Sequence, residues 1–108
     1  MRTEAVLQEG TRVVFRPGED ITAAGTPELR DALKAAVANG AREIEVNLSG
    51  VNIVDSSGIG LFVALHNSVS RLGGSLLLSN TSKDLMDLFM ALRLDKHITI
   101  SSTDIVEE

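Results

Sequence analysis

The fold of this chain is decided by the stretch Val51-Asn52-Ile53-Val54-Asp55-Ser56-Ser57-Gly58-Ile59-Gly60, where an apolar run breaks at small polar residues and then resumes. Such a break is typical of a strand that passes into a capped helix. We predict Ser57 as the helix N-cap and Ser56 as the residue just ahead of it, facing unpaired backbone N–H groups. A phosphate on Ser56 would suit the positive end of the helix dipole and would add roughly −1.5 to −2 charge beside Asp55. An ordinary capped turn without chemistry explains the same residues.

Composition narrows the possible partners. The 108 residues suffice for one domain with one core. Ten Lys and Arg against fifteen acids give a net charge of −5, which argues against nucleic acid. The chain has no cysteine, and its longest apolar run, residues 59–65, is too short to cross a bilayer. The first residues also lack the apolar core of a signal peptide. We therefore expect a cytoplasmic protein without a membrane partner.

The hydrophobic pattern predicts strands that alternate with helices. Helix starts are indicated at Thr26, as N-cap before Pro27, and at a capping box that begins at Thr81. The predicted elements are a hairpin of strands at 5–8 and 12–16, a helix from Thr26 to Asn39-Gly40, a strand at 43–48, an extended run into Asp55, a helix at 57–72, a strand at 75–79, a helix to Leu92, a strand at 97–101 and a final turn or frayed tail at 104–108. This order implies an α/β domain in which helices pack on a mixed, mostly parallel sheet.

The predicted helix at 57–72 is apolar on all sides in its first half. Ile59 and Phe62 belong to this half, whereas polar side chains appear only later. A helix without a polar face is either buried or covered by a partner, and the pattern leaves both open. Gly58 and Gly60 in its first turn would let another surface approach the backbone closely.

Catalytic and metal-binding patterns are weak. His66 falls within a helix and His97 opens a strand, with no cysteine or paired histidine in sequence to complete a metal site. Ser56 lacks the nucleophile-elbow pattern of a serine hydrolase. Gly58 and Gly60 are not followed by the lysine of a phosphate-binding loop. We expect no metal, no cofactor and no enzymatic activity.

Several of these residues together resemble the STAS domain of bacterial anti-sigma-factor antagonists. The resemblance rests on Asp55-Ser56-Ser57-Gly58-Ile59-Gly60, on Asn47 at the preceding strand end and on Gly73-Gly74 before a Leu-rich strand. The early turn around Asp20 and the segment at 89–94 are also similar to that family. The resemblance covers nearly the whole chain and implies a single STAS domain over residues 1–108.

The resemblance implies a partner switch. Ser56 would be phosphorylated by an anti-sigma factor that is also an ATP-dependent serine kinase. The unmodified form would bind that kinase and free a sigma factor, and a PP2C-type phosphatase would reverse the modification. A rival reading is a STAS subunit that is never phosphorylated and assembles a lipid transporter or a sensory complex. A stand-alone hydrolase is a third.

The resemblance also implies roles for individual residues. Asp55 would orient the Ser56 hydroxyl or contact the kinase, Ser57 would be structural, and Gly58 would permit close approach. Asn47 would support the loop. The full set of residues expected at the partner-binding site is Asp20, Asn47, Asp55, Ser57, Gly58, Ile59 and Phe62.

Overall fold

A computed structural model describes residues 5–102, which form a five-stranded sheet and three α-helices. The strands are β1 (Ala5–Glu9), β2 (Arg12–Phe15), β3 (Glu43–Asn47), β4 (Ser75–Thr81) and β5 (Thr99–Ser102). The helices are α1 (Thr26–Ala38), α2 (Ser56–Arg71) and α3 (Lys83–Ala91), with a short 3₁₀ helix at Leu94–Lys96. The final turn or tail predicted at 104–108 lies outside the described residues.

The sheet has the strand order β1-β2-β3-β4-β5. β1 pairs with β2 in antiparallel orientation, and every later pair is parallel. Since neighbouring parallel strands follow one another in the chain and such crossovers are right-handed, the three helices lie on one face of the sheet. Accordingly, Ile44 and Val46 of β3 are buried, while Glu43 and Glu45 alternate with them. The predicted fold class, hairpin included, is confirmed.

Each helix buries one apolar stripe against this face. The stripe of α2 is the longest, and its middle residue Phe62 is fully buried. The helical residues of the core include Leu29 and Leu33 from α1, Leu61, Phe62, Leu65 and Val69 from α2, and Leu85 and Phe89 from α3. The apolar first half of α2 is therefore explained on one flank by packing, whereas its other flank, which carries Val63, remains exposed.

The N-caps of α1 and α3 each lie one residue from the predicted position. The capping box predicted to begin at Thr81 is wrong by one residue, because Ser82 caps α3 and its hydroxyl accepts from the Leu85 N–H at 3.3 Å. The predicted cap at Thr26 is wrong, because Thr26 is the first residue of α1 and Gly25 is the N-cap. The Thr26 hydroxyl instead donates to the carbonyl of Thr22 at 2.6 Å, which anchors the start of α1 to the turn before it.

The two ends of the sheet differ in construction. At one end, β2 and β3 run into the loops at 16–25 and 48–55, which touch through an isolated parallel bridge between Ile21 and Val54. The extended run predicted before Asp55 is thus a loop with a single bridge. At the other end, short turns with positive φ at Gly10, Gly40 and Gly73 lead into β2, β3 and β4. Loops at the carboxyl ends of parallel strands are the usual place for a site.

Candidate functional site

Asp55 is the N-cap of α2. Its Oδ1 accepts from the backbone N–H groups of Ser57 at 2.9 Å and Gly58 at 3.2 Å, and its Oδ2 accepts from the N–H of Ala23 at 3.0 Å. The prediction that Ser57 caps the helix is therefore wrong, and Ser56 is the first helical residue. A carboxylate at this position satisfies two helical donors and also opposes the positive end of the dipole.

This cap changes what surrounds Ser56. The first-turn N–H groups of Ser57 and Gly58, which we expected to face Ser56 unpaired, are already bonded to Asp55. The Asp55 carboxylate accepts hydrogen bonds from the backbone N–H groups of Ser57, Gly58 and Ala23, so it caps the helix and holds the loop at 16–25 in place.

Asp20 holds the same corner from the other side. Its Oδ1 accepts from the N–H groups of Asn52 at 2.9 Å and Ile53 at 3.0 Å. Between the two carboxylates, the Ile21 N–H donates to the carbonyl of Ile53 at 2.9 Å, and the Asp55 N–H donates to the carbonyl of Ile21 at 3.1 Å. The loops at 16–25 and 48–55 are thus joined by backbone and side-chain bonds together. We call this joined pair the switch corner.

Asn47 fixes the start of the second loop. Its Oδ1 accepts from the Ser49 N–H at 2.9 Å, which closes a turn directly after β3. The Leu48 N–H donates to the carbonyl of Ser79 at 2.8 Å and so ties this turn to β4. Asn47 therefore shapes the loop backbone that leads to Asp55.

Gly58 is buried, and the close approach that it permits is internal. A Cβ at this position would lie 2.6 Å from Val54 Cγ1 and 2.9 Å from Ile21 Cγ2. The expectation that Gly58 admits a partner surface is therefore wrong: its missing side chain makes room for the bridge that joins the two loops. Gly60, by contrast, is exposed, and a Cβ there would meet no atom within 4 Å.

Side-chain exposure separates the remaining residues. Ser56 is exposed, and Ser57 and Ile59 are half-buried. Phe62 has no exposed surface, so its place in the expected contact set is wrong, because it packs in the core. Ile53 is 55% exposed, although the sequence pattern did not place it in the expected partner-binding set. Strand-like alternation groups it with Val51, but the loop instead buries Val51 and Val54 and leaves Ile53 outside.

Other chemistry has little support among residues 5–102. No group of three or more histidine or acidic side chains there is placed to hold a metal ion. The rings of His66 and His97 lie 6.3 Å apart and are tilted, and His66 Nδ1 lies 3.4 Å from the Ser70 hydroxyl. In the same part of the chain, no helix has the length and apolar character needed to span a bilayer.

The mostly parallel sheet with helices on one face defines a small α/β domain, and the exposed serine at the aspartate-capped start of α2 is its candidate site. The STAS domain model matches residues 2–104. The chain therefore belongs to the STAS domain family, and its similarities place it with the anti-sigma factor antagonists.

The anti-sigma-B factor antagonist of Bacillus subtilis (strain 168) is 36% identical over 83 residues, which cover 77% of this chain and 75% of the relative. Two solved structures show the same fold. Unphosphorylated SpoIIAA, an anti-sigma factor antagonist, has a TM-score of 0.75 at 18% identity, over 96% of this chain and 89% of that one. An anti-sigma-factor antagonist domain protein from Planctomyces limnophilus has a TM-score of 0.78 at 18% identity, over 96% and 92%.

Proposed function

We propose that this domain is a phosphorylatable anti-sigma-factor antagonist. Its unmodified form binds an anti-sigma factor that is also a serine kinase, which releases a sigma factor, and phosphorylation of Ser56 ends the binding. The observation that carries the proposal is the exposed position of Ser56 as the first residue of α2, beside the switch corner. The name of the Bacillus subtilis relative supports an anti-sigma factor as the partner.

The construction of the switch corner favours recognition by a protein. Asp20 and Asp55 together accept five backbone hydrogen bonds, so the loops on either side of Ser56 are ordered before any partner arrives. Binding to a preordered surface avoids much of the entropy cost of fixing a loop. We assign Asp20, Asn47, Asp55 and Gly58 to this supporting role and Ser56 to direct contact, with Ile53 as an apolar contact beside it.

The chemistry of the modification gives the direction of the switch. An unmodified hydroxyl can be buried in an interface for one hydrogen bond, whereas an unpaired phosphate costs several kcal/mol to bury. At about 1.4 kcal/mol per tenfold, this amounts to about two to three decades of affinity. The N–H groups of Ser57 and Gly58 are already committed to Asp55, so they are poorly placed to compensate a phosphate on Ser56.

The remaining parts of the proposal rest on the resemblance to the anti-sigma-factor antagonists. ATP is bound by the kinase, so the domain itself needs no cofactor and performs no catalysis. A PP2C-type phosphatase restores the hydroxyl, and the exchange takes place in the cytoplasm. The rival function is an unphosphorylated assembly subunit of a lipid transporter or a sensory complex. Because such a subunit has the same fold, an experiment must distinguish it from the phosphorylation switch.

The decisive experiment incubates the protein with its cognate kinase and ATP and locates the phosphate by mass spectrometry. Calorimetry then compares kinase binding by the unmodified protein, the phosphoprotein, Ser56→Ala and Ser56→Asp. We expect phosphate on Ser56, retained binding by Ser56→Ala, and at least about tenfold weaker binding by Ser56→Asp and the phosphoprotein. Ser57→Ala is the matched control and should still be phosphorylated. Phosphate on Ser57 alone would contradict the assignment of Ser56. Equal affinities for all forms would contradict the switch and favour the assembly function.

A further inference from the structure

A groove of about 560 Å³ runs between α1 and α2, beside the switch corner. Its apolar lining includes Leu33 and Val37 of α1 and Leu61 and Leu65 of α2. Sites for small organic molecules typically have about 300–1,000 Å³ and are mostly apolar with a few placed polar groups. The groove therefore has the size and lining of a small-molecule site.

Gly60 opens this groove at the first turns of α2. It is exposed, and a Cβ there would meet no atom within 4 Å. A helical glycine costs about 0.5–1 kcal/mol relative to alanine, and no internal contact explains this one. Gly58, two residues earlier, is explained by its contacts with Ile21 and Val54. The missing side chain of Gly60 leaves space that a ligand can use.

The charged side chains that line the groove have one sign. Among the described residues that line it, Arg30 and Lys34 are the charged ones, and they lie four apart on α1, which places them on the same helix face. Arg30 Nε lies 3.8 Å from Asp31 Oδ1, but the Asp31 side chain is 77% exposed and is not part of the lining. A basic rim over an apolar floor stands out in a chain with a net charge of −5.

We propose that this groove binds a small amphipathic anion, namely a medium-chain aliphatic carboxylate. The tail lies between α1 and α2, and the carboxylate faces Arg30 and Lys34. Ser57 also lines the groove, so the ligand lies against the same first turn of α2 that begins with Ser56. The site goes beyond the proposed partner switch, and it is tested on the free protein without kinase or phosphate.

The probe is decanoate, titrated into the protein and followed by calorimetry and by NMR chemical shifts of α1 and α2. Decyltrimethylammonium supplies the same tail with a cationic head, and 1-decanol supplies it with a neutral head. We expect saturable 1:1 binding of decanoate and at least about tenfold weaker binding of both controls. Absence of saturable decanoate binding, or equal binding of the cationic probe, would overturn the proposal.

Variants locate the site. Gly60→Leu fills the groove and the double variant Arg30→Glu/Lys34→Glu reverses its rim, so each should weaken decanoate binding at least about tenfold. Lys96→Glu, a charge reversal on the 3₁₀ helix outside the groove, is the control and should change decanoate binding less than about twofold. Circular dichroism confirms that each variant is folded. Unchanged binding by folded Gly60→Leu would refute the site. If decanoate fails to bind while Gly60→Leu weakens anti-sigma factor binding, the groove belongs to a protein partner and the proposal is wrong.

Discussion

Asp20 and Asp55 each accept backbone hydrogen bonds from the loop that contains the other. Asp20 accepts from backbone N–H groups at Asn52 and Ile53, in the loop that ends at Asp55. Asp55 accepts from the N–H of Ala23, in the loop that follows Asp20. Each carboxylate therefore depends on the other for the position of the groups that it binds, and Ser56 begins α2 at the point where the two loops meet.

This mutual arrangement predicts coupled stabilities. Asp20→Ala and Asp55→Ala should each lower the free energy of unfolding by about 1–3 kcal/mol, because each leaves backbone donors without their acceptor. The double variant should lose less than the sum, with a coupling of about 0.5–3 kcal/mol. Urea denaturation of the four proteins measures this cycle. Asp95→Ala, an exposed carboxylate elsewhere, should stay within about 0.5 kcal/mol, and strictly additive losses would show that the loops are held independently.

Gly58 and Gly60 should respond oppositely to alanine. Gly58→Ala places a methyl group 2.6 Å from Val54 Cγ1 and should cost about 1–3 kcal/mol of stability through overpacking. Gly60→Ala places it in open space and should stabilise by about 0.5–1 kcal/mol through the lost flexibility of glycine. Thermal and urea denaturation of the pair test this. Equal effects would contradict the internal close approach assigned to Gly58.

Ile53 should matter for binding and not for folding. Because its side chain is 55% exposed, Ile53→Ser should change stability by no more than about 0.5 kcal/mol. It should weaken binding of the anti-sigma factor at least about tenfold, measured by calorimetry. Met90→Ser, at 53% exposure on α3, is the matched control and should bind normally. Unaltered binding by Ile53→Ser would remove Ile53 from the interface.

Phe62 and Val63 are sequence neighbours with opposite environments. Phe62 is fully buried, so Phe62→Ala should cost about 3–5 kcal/mol of unfolding free energy. Val63 is 37% exposed, and its loss of packing on change to alanine is offset by better helix propensity, so the net change should be within about 0.5 kcal/mol. Denaturant unfolding distinguishes them, and comparable losses would indicate that α2 is rotated from the orientation described.

The sequence was informative where burial is periodic. The alternation of β3 and the apolar stripe of α2 follow directly from which side chains face the core, so α2 was predicted at 57–72 and is observed at Ser56–Arg71. The start of α2 followed in the same way, because the polar break at Asp55 and Ser56 marks the end of the apolar segment before it.

The predictions that proved wrong concern residues whose environment is set by contacts between positions distant in sequence. Asp55 and Ser57 are both good N-caps locally, and one contact that sets Asp55 apart is the Ala23 N–H, 32 residues away in sequence. The role of Gly58 is likewise set by Ile21 across the bridge. The exposure of Ile53 depends on this bridge too, since pairing of Val54 with Ile21 breaks the strand-like alternation.

The turns at Gly10, Gly40 and Gly73 lie at the end of the sheet opposite Ser56. Asn39, exposed beside Gly40, is therefore a position where a fluorophore stays clear of the switch corner. Because the chain has no native cysteine, Asn39→Cys supplies a unique thiol for labelling. Complex formation and release can then be followed in real time, without a reporter group at the surface under study.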